Sequence, residues 1–179
     1  GIGLMLVGLA FKVSAVPLHM WTPDVYQGAP AVVTGFMSVG AKAAGFAALV
    51  RIFYSAFHSL TPDWAPVVVL FAILSTVIGN VAAISQTSIK RMLAFSSIAH
   101  AGYVFVAVVP GGYGALADFS ASAVIFYLAA YGLTNIGAWS VVIAVDSGHG
   151  MGSDISNYAG LARSNPGLAA AMTLFMLSL

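Results

Sequence analysis

The sequence contains no cysteine and no glutamate, and only 6% of its 179 residues are charged. Without cysteine, the chain can form no disulfide bond, and it can hold neither an iron–sulfur cluster nor a zinc ion through thiolates. The formal net charge of +1 offers no basic surface for nucleic acid. Because an average soluble domain carries about 25% charged residues, this shortage of charge predicts a surface that faces lipid.

Apolar residues make up 60% of the chain, and the mean hydropathy is +0.99. A helix crosses a bilayer with about 20 apolar residues, and irregular backbone or sheet edges cannot face hydrocarbon. The sequence therefore predicts an all-α fold, a polytopic bundle of transmembrane helices. Both ends of the sequence, GIGLMLVGLA and TLFMLSL, are apolar, and we interpret the chain as a fragment of a longer membrane protein.

Turn-forming residues divide the apolar sequence into helical segments. The first segment, residues 1–16, breaks near Pro17, because proline lacks an N–H and clashes with the preceding turn. A short piece covers residues 17–26, and residues 85–87 are candidate caps for the helix that follows them. A polar loop is predicted at residues 146–165. The remaining transmembrane helices are predicted at residues 32–57, 64–84, 88–109 and 115–145 and from residue 166 onward.

Lysine and arginine near the ends of the spans predict the orientation. The loops after the first, third and fifth spans carry Lys90, Arg91 and Arg163, and the opposite side carries Arg51. Cytoplasmic loops are enriched in Lys and Arg, so we place the first group of loops in the cytoplasm.

Lys12 lies within an apolar segment just before the predicted break. A lysine at bilayer depth costs about 2.5–3.5 kcal/mol, and such residues usually face a bundle interior or a water path. Broken helices at that depth are a feature of ion sites in transporters, so we interpret Lys12 as a proton-transfer residue. The alternative is a lysine whose amine reaches the interface along a flexible side chain. No acidic residue lies at the depth of Lys12, so a partner carboxylate is expected outside the chain.

Lys42 lies about ten residues into the second span. Its helical face carries small residues, namely Gly35, Ser38 and Gly45. Small residues mark packing faces between membrane helices, so Lys42 is predicted to point into the bundle and to transfer protons. The aromatic residues of this span are placed on other faces: Phe36, Phe46 and Phe53. The alternative for Lys42 is a structural lysine bonded to backbone carbonyls.

The fourth span begins with Lys90 and Arg91 and contains His100. Arg91 is interpreted as an anchor at the membrane surface, whereas Lys90 shares a face with small residues and is a candidate for proton transfer. His100 suits a proton relay because an unperturbed histidine titrates near pH 6.5, although a neutral histidine bonded between helices is the alternative. The fifth span carries a polar stripe, interpreted as contacts between helices, with the lining of a wet channel as the alternative: Tyr127, Tyr131 and Asn135. Aromatic residues near span ends are interpreted as interface anchors: Trp21, Tyr26 and Tyr54.

Four stretches together resemble subunit N of bacterial NADH:quinone oxidoreductase (respiratory complex I), a family of antiporter-like membrane subunits. These stretches are FKVSAVPLHMWTPDVYQGAPAVVTGFMSVGAKAAGFAALVRIF, SIKRMLAFSSIAHAGYVFV, FYLAAYGLTNIGAW and LARSNPGLAAAMTLFMLSL. The resemblance implies a fragment of the antiporter-like fold, which is built from inverted repeats. Residues 1–57 would hold the last two helices of the first repeat, and residues 58–179 the first helices of the second.

The resemblance also implies roles for single residues. Lys12 matches the lysine at the broken helix of the first half-channel, and Lys42 matches the connecting lysine on the next helix. Lys90 and His100 fall on the lysine and histidine of the SIKR and SSIAHAGY patterns. The family's partner glutamate and its terminal lysine lie outside these 179 residues.

The implied function is proton translocation in the membrane arm of the complex, coupled to redox chemistry in other subunits. The implied location is the bacterial plasma membrane, crossed several times, and the implied partners are the other membrane-arm subunits, lipid and protons. No cofactor is expected in this chain; FMN, iron–sulfur clusters and quinone belong to the parent complex. The alternatives are a subunit of a cation/proton antiporter with the same fold and a membrane scaffold that conducts no protons.

Overall fold

A computed structural model describes residues 1–149 and 153–179 and, within them, the regular structure is helical apart from one isolated bridge between Ser88 and Asp154. Two short 3-10 helices, His58–Leu60 and Ile155–Tyr158, accompany the α-helices. The α-helices of this part of the chain are α1 (Ile2–Lys12), α2 (Trp21–Gly28), α3 (Ala31–Ser55), α4 (Thr61–Ile84), α5 (Ile89–Gly111), α6 (Ala117–His149), α7 (Leu161–Ser164) and α8 (Pro166–Ser178).

Four of the described helices are long and apolar enough to cross a membrane: α3, α4, α5 and α6. The all-α membrane bundle is therefore confirmed. Helix α5 ends at Gly111, two residues beyond its predicted limit at residue 109, and α6 extends into the predicted polar loop. Residues 150–152 of that loop lie outside the described residues. The predicted cap at residues 85–87 was wrong, because Ser88 precedes the first residue of α5 and makes no capping bond through its side chain.

The first helix breaks as predicted, but earlier than expected. Helix α1 ends at Lys12, five residues before Pro17, and α2 begins only at Trp21. Lys12 therefore lies at the end of a helix and not in its middle. The four residues after it, from Val13 to Val16, are all buried, with exposures of 0% to 3%. The break is thus a packed element of the fold.

The connections gather at two opposite ends of the bundle, as the alternation of spans requires. At one end, Arg91 contacts α2, and the backbone N–H of Ile89 donates to Ser153 O at 2.8 Å. At the other end, Thr61 Oγ1 donates to Gly112 O at 2.7 Å, and Tyr54 Oη donates to Val108 O at 2.6 Å. Which end faces the cytoplasm stays a prediction.

Helices α4 and α5 approach each other most closely at two glycines. A Cβ atom on Gly79 would lie 2.6 Å from Ala99 N, and one on Gly102 would lie 2.7 Å from Thr76 N. Close approach through small residues is typical of membrane helices, because it brings the two backbones into van der Waals contact. Helices α4 and α5 therefore pack as a tight pair.

The main apolar core contains aromatic residues from several helices. Phe46 and Phe53 of α3 are fully buried, and Phe46 packs edge-on against Phe105 with ring centroids 5.0 Å apart. Their predicted placement away from the packing face was wrong, since Phe46 lies one turn from Lys42 on that face. Phe36, at 76% exposure, does face outward. Lys42 therefore lies one turn from the tightly packed rings of Phe46 and Phe105.

Candidate functional site

The break after α1 is held by hydroxyl groups. The backbone N–H of Val16 donates to Ser75 Oγ of α4 at 3.0 Å, and Thr22 Oγ1 donates to Ser14 Oγ at 2.8 Å. Ser14 has a positive φ of 66°, a left-handed conformation that L-residues seldom adopt. Since backbone polar groups at membrane depth need partners within the protein, Ser75 supplies one for the Val16 amide, and Thr22 fixes the side chain of Ser14.

Lys12 ends α1 beside the middle of α3. The Lys12 stem lies against Gly45, where a Cβ atom would be 3.5 Å from Lys12 Cγ. A positive charge at the C-terminal end of a helix is favoured by the helix dipole. Gly45 is three residues from Lys42, about 4.5 Å along the helix axis. The structure thus brings Lys12 and Lys42 to the same region of α3, although the Lys12 side chain is exposed among the described residues.

Lys42 is buried between α3 and α5. Only 3% of the residue is exposed, and its amine donates to the backbone carbonyl of Ser97. The predicted small-residue face is buried with it: Gly35, Ser38 and Gly45. The carbonyl contact agrees both with a proton-transfer residue and with a structural lysine, so the role of Lys42 stays a prediction. Its position inside the bundle follows from the small residues around it.

A second polar contact joins α3 to α6 one turn from Lys42. Asn135 Nδ2 donates to Ser38 Oγ at 2.5 Å, and Ser38 Oγ donates to Gly35 O at 2.8 Å. Two further hydroxyls, those of Ser97 and Tyr131, are buried without a hydrogen-bond partner among the described residues. The predicted stripe on α6 therefore faces the bundle, and Asn135 makes the contact between helices that was expected of it.

His100 lies one turn beyond Ser97 on α5 and is 7% exposed. Its Nδ1 lies 2.7 Å from Tyr127 Oη, and its Nε2 lies 2.8 Å from the backbone oxygen of Leu179. The Lys42 amine meets the same helix one turn earlier, at the Ser97 carbonyl. Lys42 and His100 thus form one cluster through α5, although they are more than fifty positions apart in the sequence.

Lys90 is the predicted site residue that the structure leaves apart. It lies half-buried in the first turn of α5, ten residues before His100, which corresponds to about 15 Å along the helix. No hydrogen bond among the described residues connects Lys90 to Lys42, Lys12 or His100. Its predicted role is therefore not supported by direct contact with the cluster.

Three contacts were missed or misread in the sequence. Arg91, interpreted as a surface anchor, donates through Nη1 to Asp24 Oδ1 at 2.7 Å and to Gln27 Oε1 at 2.9 Å, and so ties α2 to α5. Tyr26 is not an interface anchor, because it is 2% exposed and packs edge-on against Trp139. The contact between Tyr127 and His100 could not be predicted, because the sequence shows only that Tyr127 belongs to the polar stripe of α6.

The described residues contain no group of three or more His, Asp or Glu side chains arranged to hold a metal ion. The chemistry that the cluster can support is proton transfer. The amine of Lys42, the imidazole of His100 and the phenol of Tyr127 lie one after another on α3, α5 and α6. Each of these groups can donate or accept a proton.

The whole chain, residues 1–179, matches the family model described as NADH:quinone oxidoreductase/Mrp antiporter, TM. A relative from Trichlorobacter lovleyi, named NADH-quinone oxidoreductase subunit N, is 46% identical over 179 residues, which are 100% of this chain and 36% of the relative. Another with this name from Acidothermus cellulolyticus is 47% identical over 99% of this chain and 34% of its own length. The chain therefore spans about a third of the length of these relatives.

Solved structures agree with this relationship. Respiratory complex I from Thermus thermophilus contains a chain with a TM-score of 0.72 and 39% identity, covering 98% of this chain and 36% of that one. A chain of an archaeal respiratory complex, the membrane-bound sulfane sulfur reductase, has a TM-score of 0.80 and 29% identity over 97% of this chain and 35% of that one. The Mrp complex from Dietzia, at 23% identity and a TM-score of 0.78 over 97% of this chain and 31% of that one, shares the fold.

The broken helix, the membrane spans and the full-length family match lead to one conclusion. The chain belongs to the NADH:quinone oxidoreductase/Mrp antiporter family of transmembrane proteins.

Proposed function

We propose that the chain is part of a proton-translocating membrane subunit of NADH:quinone oxidoreductase. Its bacterial relatives carry the name subunit N of that enzyme, and its membrane spans suit a plasma membrane protein surrounded by lipid and by other membrane-arm subunits. In this proposal Lys12, Lys42 and His100 carry protons along one route, and Lys90 is a candidate for proton transfer apart from their cluster. Redox chemistry with FMN, iron–sulfur clusters and quinone takes place in other subunits.

The observation that carries the proposal is the placement of Lys42. A buried amine loses hydration, and only the bond to the Ser97 carbonyl replaces it among the described residues. A protonated lysine is costly there without a counter-charge, whereas a neutral one is not. A carboxylate that approaches or withdraws therefore decides whether the site holds a proton, which is the behaviour a redox-coupled pump requires.

The route in this proposal runs from Lys12 to Lys42 and then to His100. The Lys12 stem packs against Gly45, which lies one turn from Lys42 on α3, and the Lys42 amine bonds to the Ser97 carbonyl, one turn from His100 on α5. In the proposed division of the chain, residues 1–57 would end the first repeat and residues 58–179 would begin the second, so the contact of Lys42 with Ser97 would join the two repeats.

The test is the Lys42→Met variant in the intact complex, with Arg51→Met as the matched control. Both variants remove a cation from α3, but Arg51 is exposed near the end of the helix. NADH-driven acidification of sealed inverted membrane vesicles is measured with a pH-sensitive dye. We expect Lys42→Met to lower the pumping rate severalfold while the complex assembles, and Arg51→Met to pump like wild type.

The outcome also separates the alternatives. Wild-type pumping in Lys42→Met would refute the proton route and favour a scaffold. The antiporter alternative, which the family description includes, predicts cation-dependent proton exchange in vesicles without NADH, and loss of that exchange in Lys42→Met.

A further inference from the structure

One ring nitrogen of His100 faces a side chain that can exchange a proton with it. Nδ1 lies 2.7 Å from the hydroxyl of Tyr127, and a hydroxyl can both donate and accept a hydrogen bond. When Nδ1 carries no hydrogen, the Tyr127 hydroxyl donates to it, and when Nδ1 is protonated, Nδ1 donates to the hydroxyl oxygen.

The same contact gives His100 a place to exchange a proton, because the hydroxyl bonded to Nδ1 can both give and receive one. We propose that Tyr127 is the catalytic residue that delivers a proton to His100 and takes it back, a role that rests on the proposed proton-translocating function.

The step balances within a small cavity of about 80 Å³ next to the pair. Its lining includes Tyr127, Tyr131, Thr134 and Ser178. A cavity needs about 10–15 Å³ and two to four polar partners to hold a water molecule, so water fits beside the Tyr127 hydroxyl. A hydronium ion on the cavity side gives one proton to Tyr127 Oη as the Tyr127 O–H bond breaks and a new N–H bond forms at Nδ1. Tyr127 ends as it began, water remains in the cavity, and His100 gains one positive charge.

A neighbouring tyrosine offers a matched control. The ring of Tyr103 packs edge-on against His100 with centroids 5.4 Å apart, but its hydroxyl accepts a hydrogen bond from Asn80 Nδ2 at 2.8 Å and makes none to His100. Tyr103→Phe and Tyr127→Phe therefore each remove one hydrogen-bonded phenol next to the imidazole, and only the second removes the exchange partner of Nδ1.

The experiment compares four variants of the intact complex in sealed vesicles: Tyr127→Phe, Tyr103→Phe, His100→Gln and Lys42→Met. NADH oxidation with an artificial electron acceptor reports the amount of assembled complex, and pumping is measured in H₂O and in D₂O. We expect Tyr127→Phe to slow pumping by about tenfold. That is less than the 10²–10⁴-fold contribution of a positioned proton donor, because water can occupy the place that the hydroxyl leaves.

We also expect the solvent isotope effect to rise in Tyr127→Phe and to stay at the wild-type value in Tyr103→Phe. A purely structural defect would lower the amount of assembled complex and leave the isotope effect unchanged, which would overturn the assignment. Wild-type pumping in Tyr127→Phe, with slow pumping in His100→Gln and Lys42→Met, would refute the role of Tyr127 and leave the proposed function standing. Wild-type pumping in both His100→Gln and Lys42→Met would refute the proposed function itself, and the role of Tyr127 with it.

Discussion

The break beside Lys12 depends on one side chain from a distant part of the sequence, and the Ser75→Ala variant tests that dependence. Ser75 Oγ accepts the N–H of Val16 at 3.0 Å across 59 positions of sequence, and Ser75 itself is fully buried. The substitution removes the acceptor and leaves a methyl group of similar shape. The amide of Val16, which is 3% exposed, then has neither a helix bond nor water.

Two reference values set the expected loss in the free energy of unfolding of Ser75→Ala. A buried donor left without a partner costs about 1–3 kcal/mol in soluble proteins. Hydrogen bonds between membrane helices average only about 0.6 kcal/mol, with a maximum near 1.7, because the unfolded chain also finds partners in the membrane. The donor here is a backbone amide in a non-helical segment, so its unfolded state can regain a helical bond. We expect a loss of about 1–2 kcal/mol in the free energy of unfolding.

The measurement is equilibrium unfolding of the full-length subunit by SDS in mixed micelles, followed by tryptophan fluorescence. The matched control is Ser140→Ala, because the exposed Ser140 hydroxyl donates within its own helix, to Ile136 O at 2.8 Å. The control is expected to stay within about 0.5 kcal/mol of wild type, as surface substitutions usually do. If Ser75→Ala loses no more than Ser140→Ala, the conclusion that Ser75 holds the break is refuted.

Two further predictions concern packing and charge. Gly102→Ala would place a Cβ atom 2.5 Å from Thr76 Oγ1 and 2.7 Å from Thr76 N, so α4 and α5 must separate, and the same unfolding assay should show a loss of about 1–3 kcal/mol. Gly8→Ala, whose Cβ would meet nothing within 4 Å, is the control, and an equal loss there would contradict the close approach of the helices. Arg91→Gln breaks the pair with Asp24, whose side chains are 31% and 76% exposed, and should cost less than about 1 kcal/mol. Unfolding at two ionic strengths checks this, since salt screening should shrink the loss; a large loss unaffected by salt would argue against a role for the charge.

The helices could be predicted from the sequence because each rests on local features. Apolar runs of about 20 residues cross a membrane whatever surrounds them, and the four described spans lie within a few residues of their predicted limits. Pro17 predicted a break, yet the helix ends at Lys12. The early end could not be predicted from the neighbouring residues, because it depends on tertiary contacts. Val16 bonds to Ser75 of α4, and Ser14 bonds to Thr22 of α2.

The sequence predicted which residues form the candidate site, but not which groups they contact. Small residues beside Lys42 indicated that the amine points inward, and this is where it lies. Its partner is a backbone carbonyl 55 positions away, and no side-chain pattern identifies which carbonyl a lysine will meet. The same limit applies to Tyr127, because an i, i+4 stripe shows that three side chains share a face but not which neighbour they contact.

The central position of α5 explains why these polar groups occur together. About 61% of its apolar stretch is buried inside the described protein, against 28% to 44% in the other three spans. A polar group on a lipid-facing helix has to reach the interface or remain unpaired, whereas one on α5 meets other helices on several sides. The Ser97 carbonyl and His100 are three residues apart on this helix, so a rotation of α5 would change the bond of Lys42 and the bond of Tyr127 together. We therefore expect a change of charge at Lys42 to reach His100 through the position of α5, with no need for the two side chains to touch.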